Sequence, residues 1–169
     1  DVILGVKEIP AQLLAPNTTY MYFAHVIKGQ PYNMPMLRRL MELGCTLIDY
    51  ERVSDDAGRR LIFFGRFAGL AGMIDTLATL GRRLRSEGIR NPFEEVGMAH
   101  TYRSLEEATD AVAAAGRRVA GQGLPPELCP LIVGVAGYGN VASGVREILN
   151  ELPIREIRPE DVEALWRAL

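Results

Sequence analysis

A lysine, a histidine, a glutamate and an arginine stand where the apolar runs of this chain begin or stop. Lys7 closes the run 2–6, His25 follows 20–24, Glu51 follows 46–50, and Arg60 opens 61–64. In α/β proteins ligands gather at the carboxyl ends of parallel strands, so Lys7, His25 and Glu51 can converge on one cleft. A lysine, a histidine and a carboxylate together suit proton transfer at a carbonyl or an imine. An arginine suits a substrate carboxylate, which it pairs through two parallel N–H bonds. Each residue also has a plainer reading. Lys7 followed by Glu8 is the composition of a solvated strand end. His25 among aromatic and apolar neighbours can be a hydrogen-bonded core or rim histidine. Arg59 and Arg60, after a turn, can be a surface pair. His100, in the loop 98–103, fits either role.

A second constellation lies near the end of the chain. The uncharged run 131–136 leads into Gly137 and Gly139, which form G-x-G, with Ala142 where a third glycine often stands. Glycine is needed there for a tight turn and for backbone approach to a pyrophosphate. The helix expected from Asn140 would then offer the free N–H groups of Asn140, Val141 and Ala142 to phosphate. This is how a dinucleotide-binding βαβ unit opens, and the residues that follow supply only its first portion. The same pattern can merely tighten a strand-to-helix turn.

Positioning such residues requires alternating strands and helices, which the rest of the chain supplies. Strands are expected over 2–6, 20–24, 46–50 and 61–64. Asn33 can cap a helix with Pro35 in its first turn, with Leu37, Leu40, Met41 and Leu43 facing inward and Gly44 as its stop. In the long helix 67–85, Leu70, Met73, Leu77, Leu80 and Leu84 recur at spacings of three and four. Gly69 and Gly72 each weaken it by roughly 1 kcal/mol relative to Ala, so a close backbone approach is expected to compensate. Ser104 and Glu107 form a capping box for another helix, whose apolar stripe is Leu105, Ala108, Val112, Ala115 and Val119. Residues 121–130, punctuated by Gly and Pro, read as a linker between 1–128 and 129–169. Pro159 begins a last helix, with Glu160 and Asp161 in its first turn. The fold class is therefore α/β: a parallel sheet, then the first βαβ portion of a dinucleotide-binding domain.

The bulk composition narrows the function classes. The 169 residues are 48% hydrophobic and 24% charged, with a net charge of −2, as in a globular protein with a sizeable core. That charge gives no reason to expect nucleic acid or an anionic membrane as partner. No apolar run approaches the ~20 residues of a membrane span. Cys45 and Cys129 are far apart with apolar neighbours, which suggests two buried, reduced thiols and a cytoplasmic location. There is no H-E-x-x-H, C-x-x-C or Walker loop, so no metal site is expected.

The segments ILGVKEIP (3–10), YMYFAHVIKGQPYNM (20–34), LIDYERVSDDAGRRLIFFGRFAGLAGMID (47–75), GMAHTYR (97–103) and ELPIREIRPEDV (151–162) resemble lysine-ketoglutarate reductase. That family is related to lysine-forming saccharopine dehydrogenase and, more distantly, to alanine dehydrogenase and the transhydrogenase nucleotide subunit. The resemblance implies two Rossmann-like domains flanking a cleft. It makes Lys7 of V-K-E and His25 of F-x-H an acid–base pair, Glu51 of D-Y-E the group that tunes their charge, and Arg60 of G-R-R a substrate-carboxylate ligand. It implies condensation of the lysine ε-amine with 2-oxoglutarate, and reduction of the imine to saccharopine by a nicotinamide cofactor.

The family's upstream arginine-bearing segment has no counterpart in these residues. The acid expected ~20 residues past the glycines is also not clear-cut. Arg158 there would suit a 2′-phosphate and so NADP, while Glu156 can still serve a ribose and NAD. Two alternatives stay open: an alanine dehydrogenase-like enzyme, and a non-catalytic binding or regulatory module of a larger protein. The expected partners are lysine, 2-oxoglutarate and saccharopine, with the remainder of a larger polypeptide or a homo-oligomer around the chain.

Overall fold

Branched and aromatic residues build the sheet. In the computed structural model, which describes residues 1–168 (Leu165 and Ala168 by backbone alone), β1 spans Val2–Lys7, β2 Thr19–Phe23 and β3 Thr46–Asp49. They form one parallel sheet in the order β1-β2-β3. The register places Val2 beside Thr19 and Thr19 beside Thr46, with Lys7 opposite Phe23 and Tyr22 opposite Asp49. All three carboxyl ends therefore lie along one edge. Between β2 and β3 runs α1, Met34–Glu42, whereas the β1–β2 connection carries only the 3-10 turn Ala11–Leu13.

The chain divides into two compact units, Asp1–Phe63 and Phe64–Leu169. The core of the first is Leu14, Tyr20, Tyr22, Ala24, Met36 and Leu40. Its two buried phenols both have partners, as burial requires. Tyr20 Oη accepts from the Ala15 N–H at 2.7 Å, and Tyr22 Oη donates to Met36 Sδ at 3.3 Å.

Several local expectations for this unit are corrected. The inward face of α1 is Met36 and Leu40, while Met41 is 73% exposed. Asn33 precedes the helix without capping it, because its carboxamide turns away to the Ala24 carbonyl. Gly44 does stop the helix, at φ +63. Residues 61–64 form no strand. The Asp55 carboxylate accepts the N–H groups of Ala57 and Arg59, Gly58 turns the chain at φ +76, and a single bridge joins Ser54 to Arg60. The chain leaves that turn without lying along β3, so Leu61 and Phe63 remain exposed.

The second unit is helical. It contains α2 (Gly65–Ser86), α3 (Leu105–Gln122), α4 (Asn140–Leu149) and α5 (Val162–Ala168). Leu70, Met73, Leu77 and Leu84 of α2 are buried, with Leu80 packed at the margin, and Ala108, Val112 and Ala115 of α3 join them. The close approach expected at Gly69 is present. A Cβ there would lie 2.9 Å from Val145 N, and one on Gly144 would lie 2.8 Å from Leu70 N, so α2 and α4 touch backbone to backbone. Gly72 has open space and no such role. Ser104 Oγ accepts the Glu107 N–H at 3.1 Å, but Glu107 reaches one residue further back than a capping box requires, to the Arg103 N–H at 2.8 Å.

The packing of α2 on α4 carries the second compact unit across residues 121–130. Residues 131–136 form no strand, nor do 155–157. A strand needs a neighbour to complete its hydrogen bonds, and none lies alongside among the described residues. Leu131 and Val135 pack on the helical core, while Ile132 and Val133 face outward. Cys45 is half-buried and Cys129 exposed, contrary to the expectation of two buried thiols. Among the described residues no helix is long and apolar enough to cross a membrane.

Candidate active site at the carboxyl edge of the sheet

Phe23, the last residue of β2, is the surface on which the candidate residues assemble. Lys7 stands opposite it across the β1–β2 ladder and is exposed. The ring of His25 stacks on Phe23, with centroids 6.2 Å apart and planes at 21°. Tyr50, in the 3-10 turn Tyr50–Arg52 that follows β3, meets Phe23 edge-on at 5.1 Å. The Arg60 guanidinium lies 5.8 Å from the Phe23 ring centroid, within cation–π range. Strand ends and the Ser54–Arg60 bridge thus bring His25, Glu51 and Arg60 to the place where Lys7 ends β1.

Two carboxylates partner the nitrogen groups of the site. Glu8 Oε2 lies 3.2 Å from His25 Nδ1. The Glu8 carboxyl is held below the ordinary carboxylate range, first by a hydrogen bond from its own backbone N–H and then by His25, against the opposing effect of burial. Arg60 Nη1 lies 3.5 Å from Glu51 Oε1. That single long contact leaves most of the five guanidinium donors available to a substrate carboxylate. Arg59 has a different task, since its Nε pairs at 2.8 Å with Asp55 and braces the turn.

His25 adopts φ +51, in the left-handed region, where a histidine is uncommon. Such a conformation persists only where surrounding contacts enforce it, and it is found preferentially at functional sites. The ring is partly exposed, with 27% of the side-chain surface open. The arrangement offers an accessible amine, an imidazole oriented by a carboxylate, and a guanidinium on an aromatic face. These can bind a carboxylate and move protons at a neighbouring carbonyl.

The glycine turn of the second unit has the features of a phosphate cradle. Gly137 sits at φ +129, which side chains rarely adopt, and a Cβ at Gly139 would meet nothing within 4 Å. No side chain caps α4, and its first helical bond runs from the Ser143 N–H to the Gly139 carbonyl at 3.0 Å. The N–H groups of Asn140, Val141 and Ala142 therefore have no partner within the helix. Ala142 itself is buried, so its small side chain serves packing. Beside the turn, Tyr138, Ser143, Arg146 and Asn150 line an open cavity of about 290 Å³. Glu156 pairs with Arg146 at 3.1 Å, and Arg158 pairs with Asp161 at 3.1 Å. His100 lies in the exposed 3-10 turn Ala99–Thr101.

Sequence reasoning overlooked Phe23 and Tyr50. A signal for Phe23 existed, because residues two apart on an extended run share a face, and Phe23 and His25 are so spaced.

Residues 1–71 match the family model described as alanine dehydrogenase/PNT, N-terminal domain. Over 162 residues, 96% of this chain, the sequence is 41% identical to the mitochondrial alpha-aminoadipic semialdehyde synthase of Bos taurus. It is 39% identical to alpha-aminoadipic semialdehyde synthase of Arabidopsis thaliana over 98% of this chain. A stretch of 72 residues, 42% of the chain, is 40% identical to saccharopine dehydrogenase [NAD(+), L-lysine-forming] of Candida glabrata. The chain spans 18%, 16% and 19% of these relatives, so each is a much longer protein. The resemblance read from the sequence holds, both to the lysine enzymes and to the alanine dehydrogenase-type domain.

Proposed function

We propose that the polypeptide carrying this chain is an NAD(P)-dependent oxidoreductase of lysine metabolism, joining the ε-amine of lysine to 2-oxoglutarate to give saccharopine, or running the reverse. The observation that carries this reading is the assembly of His25, Glu51 and Arg60 around Phe23, at the edge where Lys7 ends β1. Among the similar proteins, two that match over nearly the whole chain are named alpha-aminoadipic semialdehyde synthase, and one that matches over 42% of it is named a lysine-forming saccharopine dehydrogenase.

In this reading Arg60 binds a carboxylate of 2-oxoglutarate, and Glu51 holds the guanidinium and offsets its charge. His25 takes a proton from the attacking lysine amine, while Lys7 supplies one to the carbonyl oxygen. The amine nitrogen bonds to the keto carbon as the carbonyl π bond breaks, giving a carbinolamine, and His25 then returns its proton to the same oxygen, so that the C–O bond breaks and water leaves. General acid–base catalysis of this kind contributes about 10²–10⁴-fold. Gly137, Gly139, Asn140, Val141 and Ala142 would hold the cofactor's pyrophosphate. When bound, the nicotinamide supplies the hydride that reduces the imine carbon. Arg158 would favour NADP by pairing a 2′-phosphate, and Glu156 is the ribose ligand if NAD is used. The division of labour is a substrate domain over 1–128 and the start of a cofactor domain from 129. A cytoplasmic location stays part of this proposal, although the bovine relative's name assigns that protein to mitochondria.

The test is product identification. The whole polypeptide, given lysine, 2-oxoglutarate and NADPH or NADH, is expected to form saccharopine, detected by mass spectrometry, with NADPH the better reductant. Equal consumption of cofactor with pyruvate and ammonia, unaffected by lysine, would instead establish the alanine dehydrogenase reading favoured by the match over 1–71.

A further inference from the structure

We infer that Asp49 and Asn33 are positioning residues that grip Ala24 from both sides and thereby hold His25 in its left-handed conformation, with its ring between Glu8 and Phe23. The inference rests on the functional reading above for its kinetic consequences, but not for its geometry.

Ala24 is fully buried, and its methyl side chain can make no hydrogen bond. Its two backbone polar groups are instead held by side chains from other elements. The Ala24 N–H donates to Asp49 Oδ1 at 3.3 Å, and the Ala24 carbonyl accepts from Asn33 Nδ2 at 2.9 Å. Both gripping residues are buried, with Asp49 8% and Asn33 6% exposed. His25 follows immediately at φ +51, with its ring 3.2 Å from Glu8 and stacked on Phe23.

The same Asp49 oxygen also accepts the Glu51 N–H at 2.9 Å. A local role as cap of the turn after β3 would need only that second bond. The reach across to β2 refers the backbone before His25 and the backbone of Glu51 to one oxygen atom. A carboxylate is a costly choice at this place, because its second oxygen, Oδ2, is buried without a hydrogen-bond partner. Asn33 likewise forgoes capping α1 in order to hold the carbonyl on the other side. Asn33 also hydrogen-bonds the Glu8 carboxylate, just as Asp49 also holds the Glu51 N–H, so each buried side chain ties the backbone before His25 to a group of the candidate site.

Asp49→Ala and Asn33→Ala in the whole polypeptide each remove one side of the grip. Because catalytic groups displaced by about 1 Å lose rate steeply, kcat is expected to fall by about 10-fold to 100-fold while KM for both substrates stays nearly unchanged. The second readout is independent of activity: the rate at which diethylpyrocarbonate acylates His25, measured by peptide mass spectrometry against His100. A released His25 should react several-fold faster relative to His100. Asp49→Asn should behave nearly as wild type in both measurements, because its carboxamide oxygen can accept the same two N–H bonds.

Unchanged kcat with an unchanged His25:His100 ratio in both alanine variants would overturn the inference. So would a fall in kcat with no change in that ratio. If His25 and His100 accelerate together in one variant, that variant has loosened as a whole and the other decides; if they do so in both, the residues support the fold rather than His25. A wild-type protein without lysine-dependent turnover would refute the functional reading alone, since the acylation ratio still tests the grip.

Discussion

His25 lies on Phe23 with ring centroids 6.2 Å apart and planes at 21°, while its backbone is turned to φ +51. One residue is thus both well packed and conformationally strained. Replacing it separates the two effects. His25→Ala loses the stack and the Glu8 pair but keeps a Cβ in the left-handed region. His25→Gly loses the same contacts and relieves the strain. The glycine variant is expected to be more stable than the alanine variant by about 1 kcal/mol, although both lose activity. Denaturant midpoints compare them directly. An alanine variant equal to or more stable than the glycine variant would show that the conformation costs nothing.

Burial of Tyr22 makes an alkaline prediction. Its phenol is fully buried, and removal from water pushes its pKa from the ordinary 10.0 up to about 12, with nearby anionic groups adding to the effect. A group whose folded pKa is raised contributes stability that is complete below its unfolded value and is lost as pH rises towards the folded one. The protein should therefore lose stability between about pH 10 and about pH 12, as the unfolded chain ionises and the folded one does not. Tyr22→Phe, which also removes the contact to Met36, should lower stability near neutral pH slightly and flatten that alkaline decline. Parallel decline in both proteins over that window would contradict the assignment.

The two glycines of A-G-x-A-G should part company. Gly69 faces the α4 backbone, and a methyl group there has no side-chain end to push aside. Gly69→Ala should destabilise the protein by about 2 kcal/mol or more through overpacking. Gly72 meets open space in mid-helix, so Gly72→Ala should be neutral or stabilising by up to about 1 kcal/mol. Chemical denaturation of the two variants checks the pair, and similar losses in both would show that α2 and α4 are not packed as described.

The contrast between those glycines also shows where sequence reading stops. Both stand in the same helix with the same propensity cost, and only the position of α4 tells them apart. The three paired strands, the register of apolar residues along α2 and α3, and the stop at Gly44 were legible because each follows from local periodicity or backbone freedom. The candidate residues at the strand ends were legible for the same reason. The run 131–136, which the βαβ pattern makes a strand, is none here, because apolar composition reports a preference for burial, whereas a strand exists only with a partner along its hydrogen-bonding edge. Asn33 was misread because a side chain at a helix start can cap the helix or hold a neighbouring element, and the sequence does not show which neighbour is near. Phe23 was overlooked because its role is to gather other side chains, a property of three-dimensional proximity.

The central claim is that Lys7 and His25 act together in lysine-dependent reduction, and the initial rate of NADPH oxidation tests it most directly. The rate is measured with lysine and 2-oxoglutarate in the whole polypeptide, for wild type, Lys7→Met, His25→Gln and the double variant. The wild-type rate should require both substrates. Each single variant should fall by about 10²–10⁴-fold, with the double variant little slower than the worse single, because the two groups serve one proton-transfer sequence. Single variants that retain wild-type rates, or a wild-type rate indifferent to lysine, would contradict the account.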